Sequence, residues 1–304
     1  MPTLYSLKDS NIHKTWLLMF FFSIFVIGLG WLFSVVYNSW GILIFAIGFS
    51  VIYNLFSYWN ADKIALALSG AHALPREQNE SLYQTVENLS ITMGLPMPAL
   101  YIINDPSPNA FATGRDPHHS SVAVTVGLLR MMDNDELEGV LAHEMSHIGN
   151  RDILVSTIAV MLVGVVAMLG DLFLRISFWG GERENNNNGG VILLVIGIAA
   201  AILAPLAAML IQLAISRRRE GLADATGVLT TRYPEGLIGA LKKIEAYGTG
   251  MRRAQTATAH LYFANPFGAD KAHRKVSWFA KLFMTHPPID ERIAALEKMA
   301  NISA

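Results

Sequence analysis

The run His143-Glu144-Met145-Ser146-His147 holds the residue types that zinc chemistry needs, at a spacing a helix can use. Residues four apart on an α-helix share a face about one turn apart, so both imidazoles emerge on the same side. Two ring nitrogens so placed reach one Zn²⁺ at about 2.0–2.1 Å. Glu144 lies between them, beside the metal and not on it. There it can take a proton from the attacking water and pass it later to the leaving amine. Zinc supplies what a carboxylate cannot: it lowers the pKa of water to about 7 and polarises the scissile carbonyl. The pattern by itself is a hypothesis. Its rival, a helix with two solvated histidines, fits poorly with apolar Ala142, Met145 and Ile148 and with the apolar run that follows.

A catalytic zinc takes a third protein ligand. The chain has no cysteine, so His, Asp or Glu must provide it. The best candidate is Glu220, in the segment Ser216-Arg217-Arg218-Arg219-Glu220-Gly221-Leu222-Ala223-Asp224. Glu220 and Asp224 are spaced i and i+4, so a helix shows both to the site. Glu220 then binds the metal while Asp224 accepts the other ring N–H of His143, fixing its tautomer. In isolation the pair is simply the solvated start of an amphipathic helix; the histidine pair upstream tips the balance.

The elements that hold these groups are marked in the flanking sequence. Asp133 and Glu136 form a capping-box pattern before the first histidine, and Leu137, Val140, Leu141 and Met145 recur at helical spacing. Upstream, Ser81 to Met93 is predicted as a helix closed by Gly94. Ala99–Ile103, Asn109–Gly114 and Val122–Val126 are predicted as short strands, and Leu128–Met132 as a short helix. The region after residue 216 is mostly helical, broken at Pro234, Pro266 and Pro287-Pro288.

Of 304 residues, 52% are hydrophobic and only 15% charged, against the roughly 25% charged of a soluble domain. The excess is concentrated in four runs near the length of about 20 residues that a bilayer core requires. They cover about 16–36, 40–57, 153–173 and 191–215, with Trp16, Tyr37, Trp40, Tyr58 and Trp59 at the ends of the first pair as an aromatic belt. The first run has no small-residue cleavage site and reads as a signal anchor. Basic residues Lys8, Lys14, Lys63, Arg151 and Arg217 to Arg219 flank the runs, while the Tyr37-Asn38-Ser39 turn has none. The positive-inside rule therefore puts both termini and residues 60–152 and 216–304 on the cytoplasmic side. The expected architecture is a mainly α integral membrane protein with four transmembrane helices. Hairpins at 1–59 and 153–215 alternate with two parts of an α+β catalytic domain, 60–152 and 216–304. A net charge of -1 gives no reason to expect nucleic acid as a partner.

This order of features resembles the HtpX family of membrane zinc peptidases. The resemblance is carried by His143 to His147 followed by Ile148 to Asp152, by the Ser-Arg-x-Arg-Glu-x-x-Ala-Asp run, and by the placement of the four spans. Pro108 to Gly114 and Thr285-His286-Pro287-Pro288 through Glu291-Arg292-Ile293 add two further motifs. Membership implies a gluzincin-type domain with a small sheet, and one zinc per chain held by two His and one Glu. It also implies quality-control proteolysis in the bacterial inner membrane under stress. Gly221 departs from the pattern, which usually has an aromatic there, and so bears on local helix packing. Asn109, Ala110, Phe111 and Ala112 would form the strand along which substrate lies extended. His286 is a candidate donor to the oxyanion. Arg217 and Arg219 are alternatives, although they better suit anchoring the fourth span at the membrane surface.

The expected activity is that of an endopeptidase acting on unfolded or membrane proteins within a helical turn or two of the cytoplasmic surface. A narrow processing peptidase of the CaaX type is the nearer alternative, but it needs a larger chamber than four spans build. A zinc-stabilised scaffold or chaperone is the other, and a structural zinc takes four protein ligands.

Overall fold

The computed structural model describes residues 4–179, 217–255, 257–268 and 288–303. The expected fourth span and His286 lie outside these residues. Helix α1 (Leu4–Val36) turns at Asn38, whose φ is 48°, into the antiparallel helix α2 (Trp40–Leu68). The burial of this hairpin is inverted relative to a soluble protein. Ser50 and Ser57 are fully buried and the Asn54 amide donates to Met19 O and Ser23 Oγ, while Trp16, Phe20, Trp40, Ile44, Phe45 and Ile52 are exposed. An apolar exterior around polar helix–helix contacts is what lipid demands. Residues 10–36 and 40–68 are each long and apolar enough to cross a membrane.

The polar domain contains a four-stranded sheet and the helices packed on it. After β1 (Ala71–Ala73), α3 (Glu80–Met93) runs from an Asn79 cap to Gly94. Strands β2 (Ala99–Ile103), β3 (Ala110–Asp116) and β4 (His119–Thr125) follow, then α4 (Val126–Met131) and α5 (Asn134–Gly149). The strand order is β1-β2-β4-β3, with β2 and β4 parallel and the other pairs antiparallel. Alternation along β3 and β4 splits their side chains between two cores. Ala110, Ala112, Val122 and Val124 face the helices of the domain; Phe111 and Ala123 pack with Tyr262 and the end of α2. At the β4–α4 junction the Thr125 hydroxyl caps Leu128 N, and Gly127 sits against the Pro106 carbonyl, where a Cβ would collide. Gly127→Ala is expected to cost about 1–3 kcal/mol, read as a lower melting temperature of the purified protein.

α5 does not run straight on into the next apolar helix, α6 (Asp152–Trp179). The axes of α5 and of α6 through Val166 differ by 84°, with Arg151 at the corner in the left-handed region, φ 58°. Residues 153–163 of α6 are almost wholly buried, against α1 and α2 on one side and the sheet on the other. Among the described residues two helices qualify as membrane spans, or three if the bent pair counts as one. After the undescribed segment come α7 (Arg217–Thr231), α8 (Pro234–Tyr247) and α9 (Ile289–Ser303), all packed on the domain core.

Candidate metal centre

α5 starts from a complete capping box: Asp133 accepts from Glu136 N, and the Glu136 carboxylate accepts from Asp133 N. Lys243 of α8 pairs with the same Glu136, tying the start of the helix to its neighbour. Ten residues on, the buried side of α5 carries His143 and Glu144, each 1% exposed. α7 packs against it at close range. Gly227 lies over the backbone of Ala142 and His143, where a Cβ would come within 3.2 Å of His143 N, and Ala223 is fully buried. Gly221 faces open space, so a side chain is not missed there.

His143 Nε2 and His147 Nε2 are 3.1 Å apart, and the two Glu220 carboxylate oxygens lie 3.8 and 3.7 Å from them. One donor atom from each residue falls within 4.8 Å of the other two. The opposite ring nitrogens are both engaged by acids: His143 Nδ1 is 2.8 Å from Asp224 Oδ1, and His147 Nδ1 is 3.0 Å from Asp152 Oδ2. If both Nδ1 atoms donate to these carboxylates, two Nε2 lone pairs and an anionic oxygen face one point. A positive charge must lie between them, and a divalent cation fits the set. Burial drives the pKa of His143 down to about 4. Burial also opposes charge on His147, but the Asp152 hydrogen bond and the Glu220 charge overcome it and raise the ring to about 9.

Glu144 sits against the sheet, where its carboxylate accepts from Ala112 N, and burial pushes it up to about 7. Asp224 is clamped by Arg292 through Nε to Oδ2 at 2.9 Å and Nη2 to Oδ1 at 2.6 Å. Burial would raise its carboxyl, yet the Arg292 charge holds it far below the usual carboxylate range. The guanidinium also donates to Phe263 O and lies over the Phe263 ring, which meets the His143 ring in a T-shaped contact.

Arg219, expected at an oxyanion or the membrane surface, is buried against Asp152 and Asn11. Arg217 is exposed, 3.7 Å from Glu291. Asn109 holds the distant loop at Ala264, giving its Nδ2 to Ala264 O and accepting from Ala264 N, and Phe111 stacks edge-on with Tyr262. β3 is the edge strand beside Glu144, and three of its outward backbone groups have internal partners. Ala110 O accepts from Phe263 N, Ala112 N gives to Glu144, and Gly114 N gives to Thr157 Oγ1. The sequence assigns no role to Asp152 or Arg292. The two available signals are an acid at the head of an apolar run and an arginine inside the C-terminal motif.

What such a group can do is cleave an amide with the help of a metal, the work of a metallopeptidase. The model of "Peptidase family M48" matches residues 76–300, and the chain belongs to that family, whose members are in general zinc-dependent. With membrane-competent helices preceding the domain, it is a membrane metallopeptidase. The protein named Protease HtpX homolog from Caldanaerobacter subterraneus subsp. tengcongensis is 48% identical over 303 residues, 98% of each chain. The one of the same name from Thermoanaerobacter pseudethanolicus is 47% identical over 304 residues, again 98% of each. That of Tropheryma whipplei is 45% identical over 298 residues, 98% of this chain and 99% of the other. In fold, the chain is similar to the crystal structure of S. mikatae Ste24p, with a TM-score of 0.51 at 17% identity. The match covers 95% of this chain and 66% of that one.

Proposed function

We infer that this chain is a multi-pass zinc endopeptidase of a bacterial inner membrane, with its catalytic domain and termini in the cytoplasm. Its substrates are unfolded or membrane proteins, consistent with a quality-control role under stress. The observation that carries the reading is the convergence of His143 Nε2, His147 Nε2 and a Glu220 oxygen on one point, next to a buried Glu144. These three hold the zinc, one per chain, while Asp224 and Asp152 fix the tautomers of the two rings. Zinc held there supplies Lewis acidity, which makes water a nucleophile near neutral pH and polarises a carbonyl. Glu144 takes the proton of the attacking water on its carboxylate and delivers it to the leaving nitrogen; a carboxyl poised near neutrality does both. An extended substrate pairs along Ala110 to Ala112, where it replaces the internal partners of the outward backbone groups. His286 remains the candidate oxyanion donor.

Only three protein donors converge among the described residues, which favours catalysis over the four-ligand scaffold. Four crossings follow from the apolar runs at 153–173 and 191–215, of which the first begins α6. The test is metal content. Wild-type protein is expected to retain one zinc per chain and lose casein cleavage on chelation, with activity returning on zinc addition. Glu220→Ala is expected to bind zinc at least 10-fold more weakly. Full zinc retention in that variant removes Glu220 from the ligand set.

A further inference from the structure

The first membrane helix reaches into the metal site. α1 begins well before its apolar stretch, and in that early part Asn11 is 3% exposed. Its Nδ2 gives one hydrogen bond to Asp152 Oδ1 at 2.6 Å and another to Asn150 O at 3.2 Å. Its Oδ1 accepts from Arg219 Nη1 at 3.3 Å. Arg219 in turn lies with its Nε 3.6 Å from Asp152 Oδ1 and directly precedes Glu220 in the chain. The remaining Asp152 oxygen is the one at His147 Nδ1. One carboxamide therefore links α1, the α5–α6 corner and the start of α7, the last two of which carry or adjoin two of the three converging residues.

We propose that Asn11 is a positioning residue for the metal centre. It holds Asp152 in register with His147, and Arg219, hence the start of α7, in register with Glu220. The proposal rests on the zinc site inferred above. The chemistry selects this side chain. Two donors must meet an anion and a carbonyl while an acceptor meets a guanidinium, and an amide offers all three at one position. A carboxylate would set like charge against Asp152; an ammonium would set it against Arg219. Orienting Asp152 in this way depends on α1, so the site is complete only with the N-terminal hairpin packed against the domain. Groups that orient a metal's ligands are typically worth 10–100-fold in affinity.

The experiment uses full-length protein in detergent. It measures zinc affinity by competition with a chromophoric chelator, and the visible absorption of the cobalt-substituted protein. Asn11→Ala is expected to bind zinc 10–100-fold more weakly and to alter the cobalt bands, and Asn11→Asp to lose at least as much. Thr15→Val, one turn along and equally buried, removes only a bond within α1 and is expected to match wild type in both readouts. If the alanine variant does not fold, Asn11→Ser reports the same quantities with a small polar group in its place. Wild-type affinity and spectrum in the Asn11 variants, or an equal loss in Thr15→Val, overturns the proposal. A wild-type protein that binds no zinc overturns the metal-site reading as well, so the two failures are distinct.

Discussion

Glu144→Gln is expected to lower the rate of peptide cleavage by about 10²–10⁴-fold while leaving zinc affinity and melting temperature near their wild-type values. The amide keeps the shape of the side chain and can still accept from Ala112 N, so the buried contact to the sheet survives. What it loses is the ability to take and return a proton. His143, His147 and Glu220 are untouched, so metal content separates this variant from one that has damaged the site. The measurement is turnover of a fluorogenic peptide alongside zinc quantitation on the same preparation. Retained proteolysis would remove Glu144 from the role of base, and lost zinc would make it a ligand.

The second large effect is expected at Arg292. Its guanidinium is 4% exposed and meets the Asp224 carboxylate with two hydrogen bonds. Breaking one side of such a buried pair typically costs about 3–5 kcal/mol, because the other charge stays behind without compensation. Arg292→Met should therefore lower the melting temperature sharply and weaken zinc binding, since Asp224 also orients His143. The double variant Arg292→Met/Asp224→Leu separates these consequences. With both charges gone, most of the stability is expected to return, while zinc binding stays weak because His143 Nδ1 has lost its acceptor. Equal recovery of both would leave Asp224 with a purely structural role.

Local signals in the sequence specify their own elements closely. The capping box at Asp133 and Glu136, the left-handed Gly94 and strand β2 at Ala99–Ile103 lie where the pattern places them, since each is decided within a few residues. β1 has only three residues and exists through pairing with β2, which no local pattern announces. α4 begins two residues early because the Thr125 hydroxyl, not the end of the β-branched run, sets its start. Glu220 and Asp224 were legible through their spacing, and the structure brings both to the histidines. Asp152 was not. On a continuous helix it would stand about 140° round from His147, out of reach. The left-handed Arg151 turns the chain and returns it to the ring. Arg292 and Asn11 act across separations of 68 and 141 residues, and only the folded chain shows them.

With substrate laid along β3 as proposed above, the covered edge of that strand sets the terms on which a polypeptide can be admitted. Ala110 O and Ala112 N already have partners, so an arriving chain wins those bonds only by exchange, one for one. Exchange of equals contributes little net free energy. Backbone pairing then fixes the direction and depth of the chain without holding it tightly, and the incoming segment must already be free of its own secondary structure. A segment still bonded within its own fold would give up its bonds and receive none in surplus. On the proposed reading the strand selects for chains that have already lost their structure.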